Sequence, residues 1–390
     1  MYKILVAGAG KIGSLITYLF LRSKRYEIWL IDKDFKGIDC SRLPDDSLLH
    51  RVILNVQDEI ELDFFLRQND FNAIISSLPY FCNIQVAEMA RKFSLHYFDL
   101  TEDVKVSSAI KSIAKGAKSA FVPQCGLAPG FIGLVTNNLI ESFSQVDSVK
   151  MRVGALPINV SNALQYSLTW STEGIINEYG NVCYGIENKK IVALRPLEGL
   201  EEIQIDGVLY EAFNTSGGLG GLGELYVEKV ENLDYKTIRY PGHCEKMNFL
   251  MNGLLLNNNR DILKLILERA IPKTYQDVVV IYVSVTGIEN GEFVEKNYVN
   301  KLYPQKIGKY TWSSIQITTA SAICAVVDII LNNTGDYQGY IYQEQFELKT
   351  FLKNQYGQYY AINSAQNLEQ EEYLIKNMCN ITSVLDKEFA

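Results

Sequence analysis

Gly8, Gly10 and Gly13 stand in G-x-G-x-x-G spacing directly after Lys3-Ile4-Leu5-Val6-Ala7, an apolar run that reads as a strand. Each glycine has a physical task. Gly8 permits a tight turn, Gly10 lets the backbone come close to a phosphate, and Gly13 lets the following helix press on the strand. Lys11 and Ile12 open that helix, whose donor-rich end attracts anions. A second strand, Ile28-Trp29-Leu30-Ile31, ends in Asp32, near the spacing at which an acid accepts hydrogen bonds from an adenosine ribose. Strand, turn, helix, strand and acid together predict a pyridine-dinucleotide site. Asp32 repels a 2′-phosphate, which favours NAD over NADP, while the neighbouring Lys33 keeps NADP possible. The other reading of Asp32 is a turn-forming acid. Asp58 fits either the adenine end of a cofactor or a helix N-cap. Ser77, Leu78, Pro79 and Tyr80 follow a fourth strand, where its carboxyl end meets the nicotinamide half of the crevice and the substrate.

The elements that must position these residues alternate as in a doubly wound nucleotide fold. Lys3–Ala7, Ile28–Ile31, Val52–Leu54, Ala73–Ser76, His96–Asp99 and Ala120–Val122 read as strands. Ile12–Leu21, Glu61–Asn69, Asn83–Phe93 and Val104–Lys115 carry apolar residues at helical spacing. After Gly126-Leu127-Ala128-Pro129-Gly130 the pattern changes. A helical run near Phe131–Phe143 leads into aromatic and β-branched stretches, Val149–Val153, Tyr166–Ser171, Lys190–Leu194, Val208–Ala212 and Asp277–Thr286, that predict a second, mixed or antiparallel sheet. Glu245–Asn252, Asp261–Ala270 and the small-residue-rich Ile315–Leu331 read as helices. The expected fold class is α/β: a Rossmann doubly wound parallel sheet in residues 1–125, and an α+β substrate and dimerisation domain in 126–340. A C-terminal segment, 341–390, is expected to pack back on the body, with a periodic stretch after Asn367.

Composition excludes several classes of function. Of the 390 residues 47% are hydrophobic and 21% charged, the balance of a chain that folds around a core. A formal charge of −8 offers no basic field for nucleic acid. The seven cysteines are odd in number and scattered without C-x-x-C spacing, so neither zinc nor any other metal is expected, and the thiols read as reduced. With no apolar run approaching about 20 residues and no signal-peptide pattern, the expectation is a cytoplasmic protein without a membrane partner.

The motifs in their order resemble the saccharopine dehydrogenase and lysine 6-dehydrogenase family. Besides the glycine turn, the resemblance rests on Ser77–Tyr80, Asp99-Leu100-Thr101-Glu102-Asp103, Gly126–Gly130, Trp170-Ser171-Thr172-Glu173-Gly174, Phe213-Asn214-Thr215-Ser216-Gly217-Gly218 and Tyr235 through His243. It implies an N-terminal Rossmann domain, an α+β substrate domain and a C-terminal segment returning to the first. It also implies amine chemistry at a carbon–nitrogen bond of a lysine-derived amino acid. Saccharopine-type members carry an arginine in the stretch matching Phe213–Gly218, whereas Asn214-Thr215-Ser216 is closer to the lysine 6-dehydrogenase pattern.

Oxidising an amine to an imine needs a deprotonated nitrogen and a carbon held near the nicotinamide ring, with water to hydrolyse the product. By the resemblance, Asp103 and Tyr80 line the substrate pocket. Asp103 is the candidate proton acceptor or a helix N-cap, and Tyr80 an orienting hydroxyl or a half-buried aromatic. Of three histidines, His243 is the catalytic candidate, because it closes the Arg239-Tyr240-Pro241-Gly242 turn. His96 reads as a satisfied core residue and His50 as a polar-loop residue. Arg239 is the candidate clamp for substrate carboxylate or a structural ion pair. Glu173 could hold an ammonium or merely end a strand. Asn214, Thr215 and Ser216, with the glycines after them, read as a lid or polar pocket edge, and Cys125 reads as a packing thiol.

The sequence therefore predicts an NAD(P)-dependent saccharopine dehydrogenase-type oxidoreductase that acts on an amino-acid substrate and hydrolyses its imine, with a homodimer expected. Lysine 6-dehydrogenase activity, releasing ammonia, is the first alternative. A catalytically silent nucleotide-binding regulator is the second.

Overall fold

A computed structural model describes residues 1–36 and 40–361. The first third of the chain alternates β1 (Tyr2–Ala7), α1 (Lys11–Ser23), β2 (Tyr26–Asp32), β3 (Leu49–Ile53), α2 (Glu59–Arg67), β4 (Ala73–Ser76), α3 (Asn83–Lys92), β5 (His96–Asp99), α4 (Val104–Ile113) and β6 (Ala120–Val122). The six strands pair in parallel in the order β3-β2-β1-β4-β5-β6. Their central members are apolar and buried on both faces, because helices cover both. The chain starts at the middle of the sheet, winds to one edge, then returns to the other side of β1. A crevice therefore opens between the carboxyl ends of β1 and β4, where Ala7 lies opposite Ser76.

A second, mixed sheet follows. α5 (Phe131–Ile140), β7 (Gln145–Pro157), α6 (Thr172–Gly180), β8 (Cys183–Glu187), β9 (Lys190–Leu194), β10 (Glu201–Ile205) and β11 (Val208–Asn214) precede α7 (Leu222–Tyr226), β12 (Val230–Arg239), α8 (His243–Asn248), α9 (Arg260–Ala270), β13 (Asp277–Glu289) and β14 (Glu292–Leu302). The strand order is β10-β11-β12-β7-β13-β14, with β8 pairing to β12 and β9. Only the β7–β12 pair is parallel. α6, α8 and α9 close one end of the sheet through a core that includes Ile175, Tyr179, Phe213, Met247 and Leu263. Tyr166–Ser171, expected as a strand, joins no sheet. Left-handed Gln165 turns the chain, and Leu168 makes a single bridge to Lys273. That segment becomes a wall of the site.

The chain ends its described part on the first sheet. After a hairpin of β15 (Gln305–Ile307) and β16 (Tyr310–Trp312) come α10 (Ser314–Asn332), β17 (Gly339–Tyr340) and α11 (Leu348–Lys353). Ser313 and Gln316 close a capping box on α10, and Asp277 accepts from Ser314 and Ile315 amides at 2.7 and 2.9 Å. α10 packs on β13, where Ser314 Oγ accepts the Val279 amide at 3.3 Å, and on α1: Gln316 Nε2 donates to the Lys11 carbonyl at 3.1 Å, and Asp328 receives Arg25 and Tyr26. Every α10 residue except Thr319 and Asn332 is buried, so its small-residue stripe serves packing within the chain. β17 adds a seventh parallel strand beside β6. Phe351 and Tyr356 then pack against Phe131 and Phe20. The periodic stretch after Asn367 lies outside the described residues. His50, read as a loop residue, sits in β3, stacked on Trp29 and 3.0 Å from Glu27. His96 accepts the Ala120 amide through Nδ1, and its burial holds it neutral.

Candidate active site

The glycine turn is built as its spacing demands. The Gly8 amide donates to the Ile31 carbonyl at 2.8 Å, and Gly8 has φ +100°, a region that side chains avoid. A Cβ on Gly13 would lie 1.8 Å from the Gly8 carbonyl oxygen, so only glycine lets α1 start this close to β1. Gly10 differs: a Cβ there would meet nothing within 4 Å, because the residue faces open space. α1 begins with no side-chain cap and no acid in its first turn, which leaves its leading amides as unsatisfied donors beside that space. Asp32, at the end of β2, accepts the Ala9 amide through Oδ2 at 2.8 Å, which ties the acid to the turn. An open glycine, an uncapped helix mouth and an anchored acid fit the pyrophosphate and ribose of a dinucleotide.

Gly10, Lys11 and Ile12 form one wall of a cavity of about 460 Å³ that continues past Ser77, Leu78, Pro79 and Tyr80 into the second sheet. Asp58, like Asp32, is not among the residues lining it; its side chain caps α2 by accepting the Glu61 amide at 3.0 Å, the N-cap of the two readings.

At the far end stands Arg239, on the last residue of β12 and almost fully buried. Its Nε donates to Tyr179 Oη at 2.8 Å and its Nη1 to the Ile238 carbonyl at 2.8 Å, with the Tyr166 ring 5.0 Å from the guanidinium. Burial opposes the charge, but Tyr179, Tyr166 and Glu178 hold it, so Arg239 stays a cation. His243 lies behind this group. Its Nδ1 is 2.8 Å from the Leu164 carbonyl and its Nε2 is 3.1 Å from Tyr179 Oη. A carbonyl only accepts, so Nδ1 carries the proton and Nε2 accepts from the tyrosine. Burial and the Arg239 charge push His243 down to about 3. The histidine expected to exchange protons with substrate is thus a neutral strut, absent from the cavity wall.

Asp103 is also reassigned. Its carboxylate accepts the Val106 amide at 2.9 Å as the N-cap of α4, and it does not line the cavity. The residue beside it does. Glu102 faces the cavity, and burial raises its carboxyl to about 7, helped by the Asp103 charge. Glu178, on α6, lines the same wall and is 7% exposed. Burial raises it to about 8, the Arg239 charge opposing and the Glu102 charge assisting. Sequence reasoning passed over both acids. Glu102 was legible as the neighbour left over once Asp103 is recognised as the cap; Glu178, inside the almost wholly buried α6, had no signal.

Glu173 borders the cavity but is spent on an ion pair with Lys264. Partial burial pushes its carboxyl up, yet Lys264 outweighs that and holds it below its usual range. Asn214, Thr215 and Ser216 are buried supports, not a lid. Asn214 donates to the Arg195 carbonyl, Thr215 shares a 2.7 Å hydrogen bond with Thr237, and the Ser216 amide donates to the Glu178 carbonyl at 2.9 Å. Tyr80 borders the cavity and packs edge-on to Phe81. Cys125 is fully buried, with Sγ 3.0 Å from the Val122 carbonyl, and burial raises its thiol well above the usual range.

Comparison with known proteins agrees with this geometry. Residues 4–122 match the saccharopine dehydrogenase NADP binding domain, and residues 126–358 match the saccharopine dehydrogenase C-terminal domain. The chain is 21% identical over 264 residues to saccharopine dehydrogenase [NADP(+), L-glutamate-forming] of Schizosaccharomyces pombe. That alignment takes in 65% of this chain and spans 58% of the relative's length. The solved apo saccharopine dehydrogenase (L-Glu forming) of Saccharomyces cerevisiae shares the fold, with a TM-score of 0.72 at 16% identity over 88% of this chain and 94% of that one. With both halves matched in order, the chain belongs to the saccharopine dehydrogenase family.

Proposed function

We propose that this protein is an NAD(P)-dependent oxidoreductase that oxidises a carbon–nitrogen bond of a lysine-derived amino acid and hydrolyses the imine to an aldehyde. One observation carries the reading: a single cavity joins the uncapped mouth of α1 to a buried arginine, with the carboxyl-bearing residues Glu178 and Glu102 in the same wall. Gly10, Lys11 and Ile12 would hold the pyrophosphate, and Asp32 the adenosine ribose. Bound there, the dinucleotide accepts a hydride. Arg239, held by Tyr179, supplies an oriented cation for a substrate carboxylate, and Glu178 and Glu102 supply sites for an ammonium group or its proton. Leu78, Pro79, Leu127 and Leu168 in the wall exclude water from the reacting carbon.

The substrate is free lysine or its adduct with a dicarboxylic acid. The purified protein is to be mixed with NAD or NADP and with saccharopine or lysine, and formation of reduced nucleotide followed at its absorbance. Reduction with saccharopine alone supports the adduct, and reduction with lysine and release of ammonia supports the free amino acid. Nucleotide binding with no reduction by either would overturn the proposal in favour of a binding protein. The homodimer is likewise a proposal, read by analytical ultracentrifugation.

A further inference from the structure

Glu178 reaches the cavity from α6 and Glu102 from the link between β5 and α4, two segments of the chain with no sequence relationship. The fold clamps them together. The Ser216 amide holds the Glu178 carbonyl, and the next residue, Gly217, packs so tightly on Glu102 that a Cβ would lie 2.4 Å from its carbonyl oxygen. The groups facing Glu178 are Arg239 and Tyr235 from β12, Tyr166 from the wall segment, its neighbour Tyr179, Cys183 from β8, and Glu102. Asp99 and Asp103 stand behind Glu102. Only Arg239 among them is a cation, and its Nε and Nη1 are committed to Tyr179 and Ile238. The Glu178 carboxyl is left facing the cavity without an ion pair among the described residues, close to a second carboxyl. Two carboxyl groups in one poorly solvated place resist carrying two charges, and they share a proton readily.

We infer that Glu178, with Glu102 as its partner, is the group that takes the proton from the substrate's ammonium before oxidation. This rests on the function proposed above. One N–H bond of the ammonium breaks as an O–H bond forms on the Glu178 carboxylate, and the electron pair stays on nitrogen. That pair then forms the C=N bond while the adjacent carbon loses its hydrogen, with two electrons, to the oxidised dinucleotide. The proton on Glu178 passes to Glu102 or to solvent before the next turnover. A carboxyl raised toward the range of amines is a better acceptor here than an ordinary one.

Glu178→Gln keeps the shape and removes the proton-accepting oxygen. The expected result is a fall of about 100-fold in kcat/KM, within the range for loss of a general base. The acidic limb of the pH profile should disappear, and NADH should bind as in the wild type. An acidic limb kept in E178Q would overturn the inference. Calorimetry of lysine binding in two buffers of different ionisation enthalpy reads the same step without turnover, so it tests the pair even if no substrate is oxidised. Wild-type protein is expected to exchange a fraction of a proton near pH 7 that vanishes in E178Q; equal counts in both proteins would also overturn it. Should E178Q fail to fold, E102Q takes its place: it should shift the acidic limb to lower pH by relieving the pair, and an unmoved limb counts against the inference.

Discussion

Arg239 donates its Nε–H to Tyr179 across 2.8 Å, and that bond fixes a buried guanidinium in the wall of the cavity that Gly10 also lines. Tyr179 in turn donates to His243, whose other nitrogen is fixed on the Leu164 carbonyl. Three polar groups in a row thus hold one cation still.

Tyr179→Phe removes the acceptor and leaves Arg239 free to turn. The expected result is a rise of about tenfold in KM for the amino-acid substrate with kcat little changed, as for a lost charge-assisted hydrogen bond worth about 1.5 kcal/mol. Steady-state kinetics at fixed nucleotide reads the split.

Two buried groups tilt stability in opposite directions. Glu178 is raised to about 8 in the folded protein against an ordinary 4.5, so the folded state holds the extra proton and stability falls as pH rises through that window. His243 is lowered to about 3 against 6.5, so the unfolded state takes up the proton and stability falls as pH drops below 6.5. Each contributes a slope of up to about 1.4 kcal/mol per pH unit. Thermal melts between pH 5 and 8 should flatten on the alkaline side in Glu178→Gln and on the acid side in His243→Asn.

Gly10 and Gly13 separate binding from folding. Gly13→Ala forces a methyl onto the Gly8 carbonyl and should destabilise by about 1–3 kcal/mol, the range for overpacking, seen as a lower Tm. Gly10→Ala meets no protein atom, so Tm should hold while NADH affinity drops in a fluorescence titration.

Asp32 should set the choice of nucleotide. Asp32→Ser removes the charge facing a 2′-phosphate, and the ratio of Kd values should move toward NADP by about tenfold, or about 1.4 kcal/mol. An unchanged ratio would make Asp32 only the anchor of the Ala9 amide.

Asp103 should behave as a cap. Asp103→Asn keeps the acceptor and should leave both Tm and turnover near wild type, whereas Asp103→Ala should cost about 1 kcal/mol of stability. A large loss of turnover in the asparagine variant would return it to the chemistry.

The nucleotide half was legible in the sequence because its determinants are local. Gly8, Gly10, Gly13 and Asp32 act through backbone geometry within one β–α–β unit, and strand and helix periodicity placed that unit correctly. The substrate half was legible only in part: Arg239 stood out as a candidate clamp, but Glu102 and Glu178 lie on separate segments and acquire their properties from burial and from charged neighbours, which only the closed fold creates. The same is true of His243, whose type suggested a titrating group until the surrounding Tyr179, Leu164 and Arg239 left it neutral. Local spacing decides where a chain turns; the desolvation that sets a side chain's charge comes from residues far away along it.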